Sequence, residues 1–186
     1  MPNFTAFQNT TCLAQGPLPE VALAVKAALE DAPEAVFLTF DDATGAVVDL
    51  DLRGMPADIL ARLDVPPAAP PVARGRGRPK LGVIAREVTL LPRHWDWLAR
   101  QPGGASQALR RLVDEARRSD GGRSEARAAQ AAAYTFLSAM AGDLAGFEEA
   151  TRALFGDDRD GFARRTQGWP EDIRVYALRL LTARIA

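Results

Sequence analysis

The chain has 186 residues, 47% apolar and 25% charged, with one cysteine and one histidine. A lone Cys12 excludes an internal disulfide, and one Cys with one His excludes a zinc site built from those ligands. No run approaches the ~18–20 apolar residues of a membrane-spanning helix, and Met1-Pro2-Asn3-Phe4 opens neither a basic leader nor an apolar signal segment, so a cytoplasmic protein is expected.

The net charge of −1 conceals a division. Residues 1–73 carry 3 basic and 10 acidic side chains, net −7, and residues 74–118 carry 11 and 4, net +7. The remainder, with 9 and 10, is net −1. A basic block set in an acidic chain is the electrostatic footprint of a polyanion-binding segment.

In chain order, Phe4–Phe7 and Cys12–Gly16 read as two short strands. Leu18, Val21, Ala22, Val25, Ala28 and Leu29 recur at helical spacing, with Pro17 and Pro19 near the start, where a missing N–H costs little. Val36–Phe40 and Val47–Leu52 are strand-like and flank the turn sequence Asp41-Asp42-Ala43-Thr44-Gly45. The expected order is β-β-α-β-β. Residues 56–63 form a short helix with Ile59, Leu60 and Leu63 apolar. Four prolines between Val65 and Ala73 favour an extended linker and forbid helix.

Val83–Leu91 reads as a strand. Pro92 opens a helix to Gln101, Pro102-Gly103-Gly104 ends it, and Ser106 is the expected N-cap of a helix Gln107–Arg118. That second helix is amphipathic, with Ala108, Leu109, Leu112, Val113 and Ala116 on one face and Arg110, Arg111, Arg117 and Arg118 off it. Residues 123–184 read as four helices, about 124–141, 143–155, 158–166 and 170–184, broken at Gly142, Gly156 and Gly168-Trp169-Pro170. The fold class is α+β. The expected domains are a small α+β unit (1–64), a Pro-rich linker with a basic arm (65–82), a strand-helix-helix segment (83–119) and an all-helical domain (120–186).

Arg74-Gly-Arg-Gly-Arg-Pro-Lys80 resembles an AT-hook, built on the core Gly77-Arg78-Pro79. Glycines let such an arm lie deep in a narrow minor groove, Pro79 fixes an extended path, and arginines reach the groove floor where A·T tracts are most electronegative. The alternative reading is a solubilising basic linker. Residues 86–118 resemble the ribbon-helix-helix fold of bacterial repressors and antitoxins, through Val88-Thr89-Leu90-Leu91-Pro92, the short helix after it, Gly103-Gly104 and Ser106. The resemblance implies a dimer whose paired strands enter the major groove, with helix-opening N–H groups at Ala105 and Ser106 facing a phosphate. Two registers stay open. In one, Glu87, Thr89 and Leu91 take the core side; in the other, shifted by one, Val88 and Leu90 do, and Glu87 and Thr89 face outward. A helix-turn-helix reading of 92–118 also stays open.

The expected DNA-contacting residues are Arg74, Arg76, Arg78, Lys80, Arg86, Glu87, Thr89, Ser106, Arg110 and Arg111. Trp95 and Trp97 cannot share one helix face, so one is expected in a core and the other at an interface. His94 reads as a surface helix residue, and Cys12 as a small buried side chain. Asp41, Asp42, Asp49 and Asp51 read as a solvated hairpin face rather than a metal site. The C-terminal aromatics, among them Tyr134, Phe136, Phe162, Trp169 and Tyr176, are spaced like helix-packing residues. No catalytic set, metal site or cofactor is expected. The expected function is DNA binding, regulatory or nucleoid-associated, A·T-leaning and of low specificity, by a homodimer. The alternative is a protein-interaction or antitoxin-like module that oligomerises through the basic block and has a protein partner. A deep pocket lined with Asp41, Asp49 or Asp51 would favour an enzyme instead.

Over its whole length the chain also resembles an uncharacterised bacterial domain family, DUF2239. The residues that carry this are Phe40-Asp-Asp-Ala-Thr-Gly45, Asp49-Leu-Asp-Leu-Arg-Gly54, the run Gly77 to Trp95, Gln101-Pro-Gly-Gly-Ala-Ser106 and Ala139-Met-Ala-Gly-Asp143. The resemblance transfers no activity.

Overall fold

A computed structural model describes residues 3–63 and 86–182. The strands are β1 (Phe4–Gln8), β2 (Thr11–Gly16) and β3 (Phe37–Asp41), and the helices of the first part are α1 (Leu18–Asp31) and α2 (Pro56–Leu63). Then follow α3 (Pro92–Ala99), α4 (Gly104–Asp120), α5 (Arg123–Met140), α6 (Phe147–Phe155), α7 (Arg159–Arg165) and α8 (Glu171–Thr182). They divide into two compact units. The first combines the residues up to Leu63 with those from Arg123 onward; the second holds α3 and α4.

In the first unit the strands form an antiparallel sheet in the order β2-β1-β3. Asn9 turns the chain between β1 and β2 with φ 52°, a left-handed value that asparagine tolerates better than most residues. Its side-chain carbonyl accepts from the Val36 N–H at 3.1 Å and its own N–H donates to the Val36 carbonyl at 2.7 Å, which ties the turn to the start of β3. Pro17 flanks α1 and Pro19 lies in its first turn.

Alternation along the strands gives the sheet two apolar faces. Ala6, with Phe4, Leu13 and Phe37 around it, packs against Val21 and Val25 of α1. Phe7 and Phe40 join the opposite core with Phe136 and Leu137 of α5, Leu154 of α6, Phe162 of α7 and Ile173 and Tyr176 of α8. The rings meet edge-on: Phe7–Phe40 at 5.9 Å and 83°, Phe40–Phe136 at 4.9 Å and 79°, Phe136–Tyr176 at 4.4 Å and 63°. Such pairs add about 0.5–1.5 kcal/mol each beyond the burial of their area. The result is a three-layer unit, α1 on one face of the sheet and α5–α8 on the other. The sequence reading kept residues 1–64 and 120–186 as separate domains; here they share one core, because neither face of a three-stranded sheet can be left to water.

The expected fourth strand is the second difference. After Gly45 the chain returns along β3 through one bridge, Phe40 to Val47, with the Val48 N–H donating to the Thr39 carbonyl at 2.7 Å. Residues 49–52 then leave the ladder. Leu50 and Leu52 pack on the α1 side of the sheet, and Asp51 is held by Arg53 and Arg62. Burial of the two leucines competes with the ladder and prevails. Gly45 is fixed twice over: its φ is +66°, and a Cβ there would lie 2.0 Å from the Ala132 carbonyl oxygen of α5. Among the C-terminal helices, α6 begins at Phe147 rather than near 143, with Gly146 at φ 81° turning the chain into it.

Candidate nucleic-acid interface

The described residues expected to contact DNA all fall in the second unit. Arg74, Arg76, Arg78 and Lys80 lie outside the described residues. Arg86, Glu87 and Thr89 are exposed in the extended segment before α3. Among the described residues, Arg86–Leu91 joins no strand, although the sequence predicts one over 83–91. A strand needs a ladder partner for its N–H and C=O groups, and the second unit contains no other strand among its described residues. Val88 is 51% exposed and Leu91 49%, so neither register is selected by burial within the chain.

Pro92 opens α3 as expected, with Leu91 as its N-cap. The turn into α4 differs from expectation. Gly103 and Gly104 take φ of 80° and 71°, and α4 begins at Gly104. Ser106 therefore lies inside the first turn rather than at the cap, and no side chain caps this helix. Two successive glycines in the left-handed region let the helix start three residues earlier than a serine cap would set it. Ser106 remains exposed, and its carbonyl accepts from Arg110 Nε at 3.2 Å. Arg110 and Arg111 are exposed on the middle of α4, and Arg117 and Arg118 on its last turn.

Sequence reasoning passed over two further arginines, Arg93 and Arg100. Arg93 stands on α3 four residues before Trp97, and Arg100, the helical C-cap of α3, three after it, a spacing that puts all three side chains on one stripe. None of Arg86, Arg93, Arg100, Arg110, Arg111, Arg117 and Arg118 forms an ion pair with another described residue. The unit's apolar side chains are as open as its charges. Among its described residues Leu98 and Ala108 are the buried hydrophobic ones, whereas Trp95, Trp97, Leu112 and Val113, like Val88 and Leu91, are exposed. Leu91, Trp95 and Leu98 share one side of α3, and Trp97 lies off it.

The acidic residues of the first unit do different work. Asp42, expected on a solvated hairpin face, is partly buried and accepts from three side chains. Thr5 Oγ1 and the Tyr176 hydroxyl donate to Oδ1 at 2.7 and 2.9 Å, and Arg179 Nη2 donates to Oδ2 at 3.2 Å. Arg179 also donates to Gln15 and to Thr5, and its guanidinium lies 4.6 Å from the centroid of the Tyr176 ring. Burial, followed by the Asp42 charge and hydrogen bond, pushes the Tyr176 hydroxyl well above its ordinary value. This cluster ties β1, the β3 turn and α8 together. Asp41 accepts from the Ala43 N–H within its own turn at 2.7 Å. Asp51 is held far below the usual carboxylate range, first by the Arg53 side chain and then by the Arg53 backbone N–H. Asp49 borders an open cavity of about 170 Å³ whose other walls include Val25, Phe37, Val48 and Leu52. The four carboxylates thus point to four different duties, and no group of three or more His, Cys, Asp or Glu among the described residues could hold a metal ion. Cys12 is half-buried, its N–H donating to Asp172 Oδ2 at 2.7 Å and its sulfur accepting from Gln15 Nε2 at 3.3 Å. No helix among the described residues is long and apolar enough to cross a membrane.

No curated protein and no solved structure matches the chain. A family model does, over residues 3–181, and its description is an uncharacterised protein conserved in bacteria, DUF2239. That span takes in the sheet, the α3–α4 unit and the helices that close the aromatic core, so the chain belongs to the DUF2239 family as a whole.

Proposed function

We propose that the protein is a DNA-binding homodimer without catalytic activity, regulatory or nucleoid-associated, gripping DNA through the α3–α4 unit and the Arg74–Lys80 arm. The observation that carries this reading is the state of the seven arginines between Arg86 and Arg118, exposed and without an ion pair among the described residues. Structural arginines on a protein surface gain little from staying unpaired, whereas phosphates reward each one by releasing condensed counterions. The first-turn N–H groups of Ala105 and Ser106 add backbone donors for a phosphate. The AT-hook-like arm supplies an A·T-leaning, shape-based component, and the absence of an Arg or Lys among the outward residues Glu87 and Thr89 of the shifted register keeps sequence discrimination low.

Binding to mixed-sequence duplex DNA is expected to weaken steeply with salt. Replacing Arg76, Arg78 and Lys80 together by Ala should flatten the log–log salt slope by roughly 2–3 units, at about 0.9 per phosphate contact. An unchanged slope would reduce the arm to a linker. Absence of any DNA retention at low salt would overturn the whole reading.

A second reading, a protein-interaction or antitoxin-like module, draws on the exposed Leu91, Trp95, Leu112 and Val113. A unit with this much open apolar surface calls for cover, and a second copy provides it symmetrically. Light scattering should give twice the chain mass at micromolar concentration; a monomer would remove the dimer from both readings.

A further inference from the structure

We infer that the outer stripe of α3, Arg93, Trp97 and Arg100, is a binding site for single-stranded nucleic acid, in which Trp97 stacks on an unpaired base and the two arginines hold the flanking phosphates. The inference rests on the DNA-binding reading and deepens it by naming the form of nucleic acid at this face.

Three observations carry it. Trp97 is 49% exposed, although an indole is among the side chains with most to gain from burial. It does not belong to the apolar seam of its own helix: Leu98 is buried, Leu91 and Trp95 share the side of Leu98, and Trp97 stands away from it. Arg93 and Arg100 stand one helical turn before and after it, exposed, and without an ion pair among the described residues. Neighbours at that spacing have Cβ atoms about 5–6 Å apart. An aromatic ring bracketed by two guanidiniums at this separation matches an extended strand, where base and phosphate alternate on a similar scale. Asp96 adjoins the stripe and offsets one of the two charges, yet it bonds to neither arginine. His94 and Gln101 complete the polar surround, and Gln101 Nε2 donates to the Trp97 carbonyl at 3.3 Å, leaving the indole ring uncommitted.

The choice of an unpaired base follows from geometry. In a duplex the faces of the bases are covered by their neighbours, and only edges and phosphates are offered. An exposed indole gains most from a base whose face is free, and stacking tolerates any base because each has a π-face. Arginines alone would serve a duplex equally well; Trp97 is the part of the stripe that distinguishes the two.

The test titrates the full-length protein with a short oligodeoxythymidylate and with a duplex of the same length, following tryptophan fluorescence and affinity together. The oligonucleotide should quench the wild-type signal. Trp97→Ala should weaken its binding by about tenfold. In a Trp95→Phe background, which leaves Trp97 as the one exposed tryptophan, Trp97→Phe keeps a stacking face and should largely restore affinity while abolishing most of the quenching, since Trp169 is buried in the other unit. Arg93→Gln and Arg100→Gln should each lower the salt slope by roughly 0.7, the value per contact for single strands. Duplex binding together with an oligonucleotide affinity that is absent or indifferent to Trp97→Ala would overturn this inference and leave the DNA-binding reading standing. Failure to bind either nucleic acid would overturn both.

Discussion

The two compact units of this chain solve opposite problems. In the first, aromatic rings are enclosed and part of the charge is paired: Phe7, Phe40, Phe136 and Tyr176 pack edge to face, and Arg53, Arg62, Arg165 and Arg179 each meet a carboxylate, while Arg127, Arg152 and Arg164 stay exposed without an ion pair among the described residues. In the second, two tryptophans are exposed and seven arginines form no ion pair with a described residue. Both units draw on the same amino-acid inventory. The difference teaches where aromatic surface goes: the first unit encloses its rings in a shared core, whereas the described residues of the second leave Trp95 and Trp97 exposed.

The contrast can be broken most forcefully at Phe136. Its ring touches Phe7, Phe40 and Tyr176, so Phe136→Ala should lower the unfolding free energy by about 3–5 kcal/mol, measured by denaturant titration. Leu112→Ala in the second unit, at an exposed position, should cost far less at protein concentrations too low for association. Equal losses would mean that the second unit carries a core of its own.

A smaller effect tests the polar tie of the first unit. Because the folded Tyr176 hydroxyl ionises above its unfolded value of about 10, its contribution is fully present below that pH and is lost as pH rises beyond it. Stability should therefore fall as pH climbs through and above ~10, and Tyr176→Phe should blunt that fall while costing about 1 kcal/mol at neutral pH through the lost bond to Asp42. Denaturation midpoints measured across that range would decide; an identical alkaline slope in the variant would rule out Tyr176 as its source.

The smallest expected effect lies at Ser106. A serine cap would cost about 1 kcal/mol to remove, but Ser106 sits within α4 and caps nothing, so Ser106→Ala should change stability by less than about 0.5 kcal/mol. A full cap-sized loss in thermal unfolding would restore the helix start suggested by the sequence.

Ser106 also marks where local pattern stops being sufficient. Periodicity from Leu18 to Leu29 located α1, and Pro92 located the start of α3, because each signal acts through its own backbone. Ser106 is a sound cap by type, yet the two glycines before it permit conformations that make the cap unnecessary. Val47–Leu52 alternates like a strand, and its leucines do face one way, but they are drawn to α1 rather than into a ladder. The union of the first and last segments was hidden for a different reason. Phe7 and Tyr176 are far apart in the chain, and no local signal states that a strand's second face will be covered by a helix from its far end. Of the candidate site, the basic block and the arginines of α4 were legible as composition; Arg93 and Arg100 emerged only when the exposed side of α3 was known.

One consequence concerns the order in which the protein comes into being. The hydrogen bond from Arg179 to Thr5 joins residues 174 positions apart, and Cys12 to Asp172 spans 160. During synthesis the sheet emerges first, with Phe7 and Phe40 bare on the face that α5 and α8 will cover, and the whole α3–α4 unit is made before that cover arrives. Contacts this distant in sequence are slow to form, and an uncovered strand face is prone to pairing with the wrong neighbour in the interval. The nascent chain is thus most vulnerable not at its basic middle but at its beginning, until α8 is complete.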